Sequence, residues 1–149
     1  MDAFTLAGAC GLYCGACAIY RMYRDQDRER LGRAAREVFH CQVEAIRCEG
    51  CRGPAEGHWS ADCQILACAR GRGIAFCHEC AEFPCAELTA FSTDRRDIPL
   101  GNLRRLAEVG PEAWLAEQDA RWRCPACGRP VDIYSEACRA CGARLPAEL

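Results

Sequence analysis

The fold is decided by residues 124–142, CPACGRPVDIYSEACRACG, which contain two Cys-x-x-Cys pairs, each followed by glycine. Two thiolates separated by two residues can turn back onto one tetrahedral ion, and a second pair completes its coordination. A glycine after the second sulfur tolerates the positive φ that this tight turn requires. We therefore predict a C-terminal zinc ribbon over residues 123–149, with Zn²⁺ bound by Cys124, Cys127, Cys138 and Cys141.

The segment between the two pairs is short. Apolar and polar residues alternate over residues 131–134, which predicts a strand and hence one tight hairpin. Four thiolates leave no coordination position for water or substrate. We expect this ion to be structural rather than catalytic.

The composition favours metal over a large apolar core. Leu, Ile, Val and Phe make up 26 of the 149 residues, a share typical of poorly ordered chains, but the net charge is only −2. Residues 1–4, MDAF, lack a basic secretory segment, and residues 3–20 contain three glycines and three cysteines instead of a continuous apolar run. We expect a cytoplasmic protein without a membrane segment, in which cysteines bind metal rather than form disulfides.

The charge balance argues against nucleic-acid binding. Nineteen arginines are mixed with 21 acidic residues, and every zinc ion with four thiolates adds about −2. No nucleic-acid partner is therefore expected.

Residues 1–92 are predicted to form a cysteine-rich metal-binding domain with two further sites of four thiolates each. The nearest complete sets of four in the sequence give one ion to Cys48, Cys51, Cys63 and Cys68, and another to Cys14, Cys17, Cys77 and Cys80. Cys10 and Cys85 would be additional or alternative ligands. An interleaved arrangement, in which Cys48 and Cys51 meet Cys77 and Cys80, stays open. The total would be two to three Zn²⁺ ions.

The trio Cys10-x-x-x-Cys14-x-x-Cys17 also allows a different cofactor. Three clustered thiolates and one remote cysteine commonly hold a [4Fe–4S] cluster, and Cys85 is the candidate fourth ligand. Radical S-adenosylmethionine enzymes use the same spacing, but the chain is too short for the barrel that they need. His58 is a further candidate ligand, and Cys41 has no assigned role.

Apolar periodicity predicts helices over residues 18–39, 61–70, 86–91, 100–107 and 111–122. Residues 93–122 would be a helical connector, in which Trp114 and Trp122 lie on one stripe that packs into the core. The predicted fold class is a small, metal-stabilised, α-rich irregular fold (α+β) with the C-terminal zinc ribbon hairpin.

Four motifs in order carry a family resemblance: CGLYCGAC at residues 10–17, CEGC at 48–51, CQILACA at 63–69 and FCHECAEFPC at 76–85. With them, residues 5–92 resemble the family called domain of unknown function 3795. Longer members look similar through the helix of Trp114 into a ribbon like that of residues 124–141. The resemblance implies zinc binding through the cysteines and implies no activity. Cys41 is an addition to this pattern.

Two functions follow from the sequence. The first is a zinc-binding protein with structural tetrathiolate sites that serves as a binding or adaptor module, with a protein partner at the ribbon or at the helix of Trp114 and Trp122. The alternative is an iron–sulfur or labile-metal protein with a redox or transfer role at the N-terminal cysteines. No phosphate loop, paired carboxylates or nucleophile with its base is present, which favours a role other than catalysis.

Overall fold

The structure, a computed structural model, describes residues 3–57, 59 and 62–146. Within these ranges lie six α-helices: α1 Ala18–Arg24, α2 Arg28–Ala34, α3 Gln64–Gly71, α4 Ala86–Thr93, α5 Ile98–Val109 and α6 Pro111–Arg121. Short 3-10 turns connect them, and the β-pairing found in the described part of the chain consists of isolated bridges. The fold is α-rich, as predicted, but the hairpin is not confirmed.

The long helix predicted over residues 18–39 is interrupted. Gln26 has a φ of 51° between α1 and α2, and the Asp27 carboxylate accepts a hydrogen bond from the Arg30 amide at 3.1 Å. An aspartate that caps a new helix in this way competes with continuation of the old one. Helix α2 continues into a π-helical turn, Ala35–Phe39, which ends at His40 with a φ of 49°.

The other predicted helices are present with shifted ends. Helix α3 begins at Gln64, and the predicted start at Ala61 lies outside the described residues. Gly110, with a φ of 81°, separates α5 from α6, and Pro111 begins α6, as glycine and proline at these positions predict.

One apolar core joins the N-terminal loop to helices α3–α6. Trp114 is completely buried, Trp122 is 3% exposed, and the Trp114 indole meets the Tyr13 ring edge-on at 6.3 Å. Both tryptophans are core residues, as predicted. Residues of the predicted connector, in α5 and α6, pack in the same core as Cys10 and Tyr13. We call residues 3–122, which include this core, the N-terminal unit. The predicted domain boundaries stay a prediction.

The loop of the first cysteines lies directly against α5. Gly11 has a φ of 86°, and a Cβ at this position would come within 2.5 Å of the Pro99 carbonyl oxygen. The buried Asn102 amide donates a hydrogen bond to the Gly11 carbonyl at 2.8 Å. Glycine at position 11 therefore permits a backbone contact that fixes the loop on the helix.

Two of the smaller cores lie outside the N-terminal loop and helices α3–α6. Met22, Leu31 and Ile46 form one of them between α1 and α2, with Cys41 and Trp59 packed against it. The other lies in the ribbon, where Val131 and Leu145 pack with two of the cysteines. Among the described helices, none is both long and apolar enough to cross a membrane.

Candidate metal centres

The ribbon consists of two turns of the same construction. The Gly128 amide donates to the Cys124 carbonyl, and the Gly142 amide to the Cys138 carbonyl, both at 2.8 Å. The two glycines have φ values of 71° and 73°, in the left-handed region that the sequence predicts for them. Each turn therefore presents its two sulfurs on the same side.

The two turns place four sulfur atoms around one shared position. The ligand atoms of Cys124, Cys127, Cys138 and Cys141 all lie within 4.8 Å of one another. Sulfurs of opposite turns are 3.7 Å apart for Cys124 and Cys141, and 3.6 Å apart for Cys127 and Cys138. A tetrahedral ion with Zn–S bonds of about 2.3 Å places its sulfurs about 3.8 Å apart. This group of four cysteines can hold a metal ion, and its spacing is consistent with zinc.

The segment between the two turns is not a strand. The Val131 amide donates to the Trp122 carbonyl and the Ile133 amide donates to the Ala16 carbonyl, each at 3.0 Å. Asp132 closes a turn by accepting hydrogen bonds from the Tyr134 amide at 3.1 Å and the Ser135 hydroxyl at 2.8 Å. The amides of Val131 and Ile133 thus bond outside the segment and that of Tyr134 bonds within its turn, and these bonds replace the ladder of a hairpin.

The ribbon is fixed to the N-terminal unit by a largely buried ion pair. Arg30 donates to the Asp132 carboxylate at 2.8 Å, with the two side chains 16% and 2% exposed. Arg139 adds exposed contacts to Asp27 and Glu29 at 3.2 and 3.3 Å. No spacing signal in the sequence indicates these pairs, because their partners are more than 100 residues apart.

Six cysteines line one cavity of about 250 Å³ beside the ribbon: Cys10, Cys14, Cys17, Cys48, Cys51 and Cys63. Trp122, Ile133 and Tyr134 of the ribbon side form part of its wall, and Arg95 and Asn102 contribute polar groups. We call this space the six-cysteine cavity. It brings the N-terminal trio together with three cysteines from later in the chain.

Burial dominates the electrostatics of the six-cysteine cavity. Burial, and then the charge of Cys51, raises the pKa of Cys10 to about 12, and burial also raises the pKa of Cys17 and Cys48. The Cys51 amide donates a hydrogen bond to the Cys14 sulfur at 3.3 Å. The metal-free thiols of Cys10, Cys17 and Cys48 are therefore weak nucleophiles, and a cation would favour their thiolate forms.

Four other cysteines line a smaller cavity of about 40 Å³: Cys68, Cys77, Cys80 and Cys85. We call it the four-cysteine cavity. Burial, and then the charges of neighbouring thiolates, raises the pKa of Cys77 to about 11. Cys68 and Cys85 are exposed, so this cavity opens at the surface.

The two cavities group the ten cysteines differently from the predicted sets. Cys48, Cys51 and Cys63 share a cavity, but Cys68 does not lie there. Cys14 and Cys17 are likewise apart from Cys77 and Cys80, and the candidate cluster ligand Cys85 is apart from the N-terminal trio. Within the described ranges, the ribbon cysteines alone bring three or more metal-ligating atoms within 4.8 Å of one another. The N-terminal ligand sets stay a prediction.

Neither Cys41 nor His78 lines either cavity. The His78 ring stacks on Phe76, with the ring centres 5.8 Å apart, and does not line the four-cysteine cavity. Cys41 packs against the core of α1 and α2. His58 lies outside the described residues. All fifteen cysteines are free thiols, so none is engaged in a disulfide.

A protein-family model matches residues 6–90 of the chain, and the family is described as protein of unknown function (DUF3795). The match covers more than half of the chain and includes all ten cysteines of the two cavities. No curated protein and no solved structure matches the chain. The chain belongs to the DUF3795 family, in agreement with the resemblance carried by its four motifs.

Proposed function

We propose that this member of the DUF3795 family is a zinc-binding protein of the reducing cytoplasm that acts as a binding module rather than as an enzyme. The observation that carries the proposal is the spacing of 3.6 and 3.7 Å between sulfurs of opposite turns in the ribbon. It agrees with the separation of about 3.8 Å around tetrahedral zinc, and four thiolates fill that tetrahedron. The ribbon ion is therefore structural in this proposal.

The structural role extends beyond the ribbon itself. The turn at Asp132 is held between the two pairs of cysteines, and the same turn binds Arg30 and Ala16 of the N-terminal unit. An ion that orders the ribbon thereby orders one wall of the six-cysteine cavity. We propose that zinc positions this wall and the exposed surface of the ribbon for a protein partner. Since the indoles of Trp114 and Trp122 are buried, such a partner would contact exposed residues such as Tyr134, which is 67% exposed.

The zinc proposal is tested by the double variant Cys127→Ser/Cys141→Ser of the full chain. We expect the loss of one zinc ion per chain by elemental analysis and a fall in the thermal midpoint of about 10 °C, because structural zinc contributes directly to folding. Cys41→Ser is the matched control, since Cys41 lies outside all three cysteine groups, and it should keep the wild-type zinc content. An unchanged zinc content in the double variant would refute the ribbon site.

The six-cysteine cavity favours a second function, binding of an iron–sulfur cluster. A volume of about 250 Å³ is far larger than one ion requires, and six thiols exceed the four that zinc uses. The N–H···S hydrogen bond from Cys51 to Cys14 is of the kind that tunes cluster potentials. In this proposal the ligands come from Cys10, Cys14 and Cys17 together with Cys48, Cys51 or Cys63.

Protein produced without oxygen distinguishes the two functions. A cluster gives absorbance near about 400 nm with equal amounts of iron and sulfide, and Cys14→Ser should abolish both. Colourless protein that contains zinc and no iron would eliminate the cluster. Cys41→Ser again serves as the control, with the wild-type spectrum expected.

A further inference from the structure

The four-cysteine cavity has a donor set that the ribbon and the six-cysteine cavity leave unused. We propose that Cys68, Cys77, Cys80 and Cys85 bind one Zn²⁺ ion, at a site separate from the six-cysteine cavity. The proposed zinc function supports the choice of ion, and the grouping of the ligands rests on the cavity they share. No three of these four sulfurs lie within 4.8 Å of one another in the structure, so binding would draw them together.

Cys77 and Cys80 are presented by a rigid turn. The Cys80 amide donates to the Cys77 carbonyl at 3.1 Å around the 3-10 turn Cys77–Glu79. The Glu79 carboxylate accepts a hydrogen bond from the Ala75 amide at 3.0 Å, which fixes the entry to the turn. The Glu82 amide donates to the Cys80 sulfur at 3.5 Å. Backbone N–H groups directed at sulfur stabilise the thiolate that metal binding requires.

The other two ligands come from helices on either side of this turn. Cys68 lies within α3, and Cys85 immediately precedes α4. Five residues of α-helix rotate a side chain by about 140°. Cys63, at the start of α3, and Cys68 therefore point to different sides of the helix, which explains why close neighbours in sequence line different cavities.

The size of the cavity selects an ion over a cluster. A space of about 40 Å³ is close to the roughly 30 Å³ that one water molecule occupies in the liquid. A [4Fe–4S] cluster has eight core atoms and needs more enclosed space than this cavity offers. Four thiolates in a site for a single ion are the donor set of structural zinc.

An arginine offsets the charge of such a centre. One Zn²⁺ with four thiolates has a net charge of about −2. Arg72 lines the cavity together with Cys68, and it donates to both Glu82 carboxylate oxygens at 3.1 Å. A cationic side chain that lines a metal site and is itself held by hydrogen bonds is a typical outer-shell arrangement.

Zinc counting in single and double variants tests the grouping. Cys68→Ser and Cys85→Ser should each lose one zinc ion per chain, and Cys68→Ser/Cys85→Ser should lose the same one ion in total. Loss of two ions in the double variant would mean that the cysteines serve different ions, and no loss in any of the three would mean that they bind none. Either result overturns the proposal. Cys41→Ser is the matched control and should lose nothing.

A measurement on the wild-type chain avoids reliance on the folding of variants. During titration with a chelator, alkylation followed by mass spectrometry should show Cys68, Cys77, Cys80 and Cys85 becoming reactive together in one step. Reaction of Cys68 in one step with Cys48, Cys51 and Cys63 would overturn the grouping.

The ribbon provides an independent count. Cys127→Ser/Cys141→Ser should lose a different ion, so combining it with Cys85→Ser should remove two. If the ribbon variant lost all of the zinc that the wild-type protein contains, the four-cysteine site would be overturned and the proposed function would stay intact. Zinc that persists in the ribbon variant and disappears with Cys85→Ser would contradict the ribbon proposal instead and support this one.

Discussion

The ribbon and the N-terminal unit use cysteine in different ways. In the ribbon, two identical turns within 19 residues place four sulfurs at one point, with 3.6 and 3.7 Å between opposite turns. In the N-terminal unit, ten cysteines spread over residues 10–85 line two cavities. The ribbon site depends on local turn geometry, whereas the N-terminal grouping depends on how α3–α6 pack. Substitutions that alter packing or turn geometry separately should therefore affect the two regions unequally.

Trp114→Ala should give the largest difference between its effects on the N-terminal unit and on the ribbon. Removing a completely buried indole that packs against Tyr13 should cost about 4 kcal/mol of unfolding free energy. The N-terminal cavities should lose their order while the ribbon keeps its ion. Denaturant unfolding monitored by circular dichroism, together with a zinc count of one retained ion, measures both effects.

The exposed Tyr134→Ala is the aromatic control for that experiment, with a change expected within about 0.5 kcal/mol. If Trp114→Ala also emptied the ribbon of metal, the ribbon site would depend on the packing of the N-terminal unit and the two regions would not be independent.

Asp132→Ala should uncouple the two regions without altering either set of cysteines. It leaves Arg30 without its buried partner and removes the acceptor of the turn at Ser135, at a cost of about 3 kcal/mol. Amide hydrogen exchange at Ile133, which donates to Ala16, should accelerate as the ribbon detaches.

Glu117→Ala is the matched control for Asp132→Ala, because it breaks an ion pair with Arg105 that is exposed on both sides. Unchanged exchange at Ile133 in Asp132→Ala would show that the ion pair does not hold the ribbon.

Two glycine substitutions, one in each region, should give the smallest difference in stability. In Gly128→Ala, only the positive φ of 71° opposes the new side chain, since nothing lies within 4 Å, and the expected cost is about 1 kcal/mol. In Gly11→Ala, the Cβ also meets the Pro99 oxygen at 2.5 Å, so α5 must shift and the cost should be about 2 to 3 kcal/mol. Thermal unfolding of the two variants measures the difference, and equal midpoints would contradict the close loop–helix contact.

The sequence predicted those parts of the molecule whose determinants are local. Spacing indicates the four ribbon cysteines whose sulfurs come close enough to hold a metal ion, and Gly128 adopts the positive φ expected after a cysteine pair. Helix α6 begins at Pro111, and both tryptophans are buried as their stripe indicates. Each of these outcomes depends on residues close to one another in the chain.

Features that depend on contacts between residues far apart in the chain could not be predicted from the sequence in this way. The break at Gln26 is different, because its cause is local: Asp27 caps α2, and the apolar stripe over residues 18–39 concealed this signal. Which cavity Cys63 and Cys68 each line depends on how α3 packs against its neighbours, which spacing along the chain does not encode. The six-cysteine cavity assembles residues from 10 to 134, so only the packed structure brings them into view.

The wall that the ribbon contributes to the six-cysteine cavity has a thermodynamic consequence. Ile133 and Tyr134 belong to the ribbon segment and also line the cavity. If zinc orders the ribbon as proposed, a metal ion or cluster that contacts these residues would gain affinity. By linkage, zinc would bind more tightly to the ribbon by the same factor when that second ligand is present. The ribbon site and the six-cysteine cavity would then each respond to the occupancy of the other across a shared wall, with no ligand residue in common.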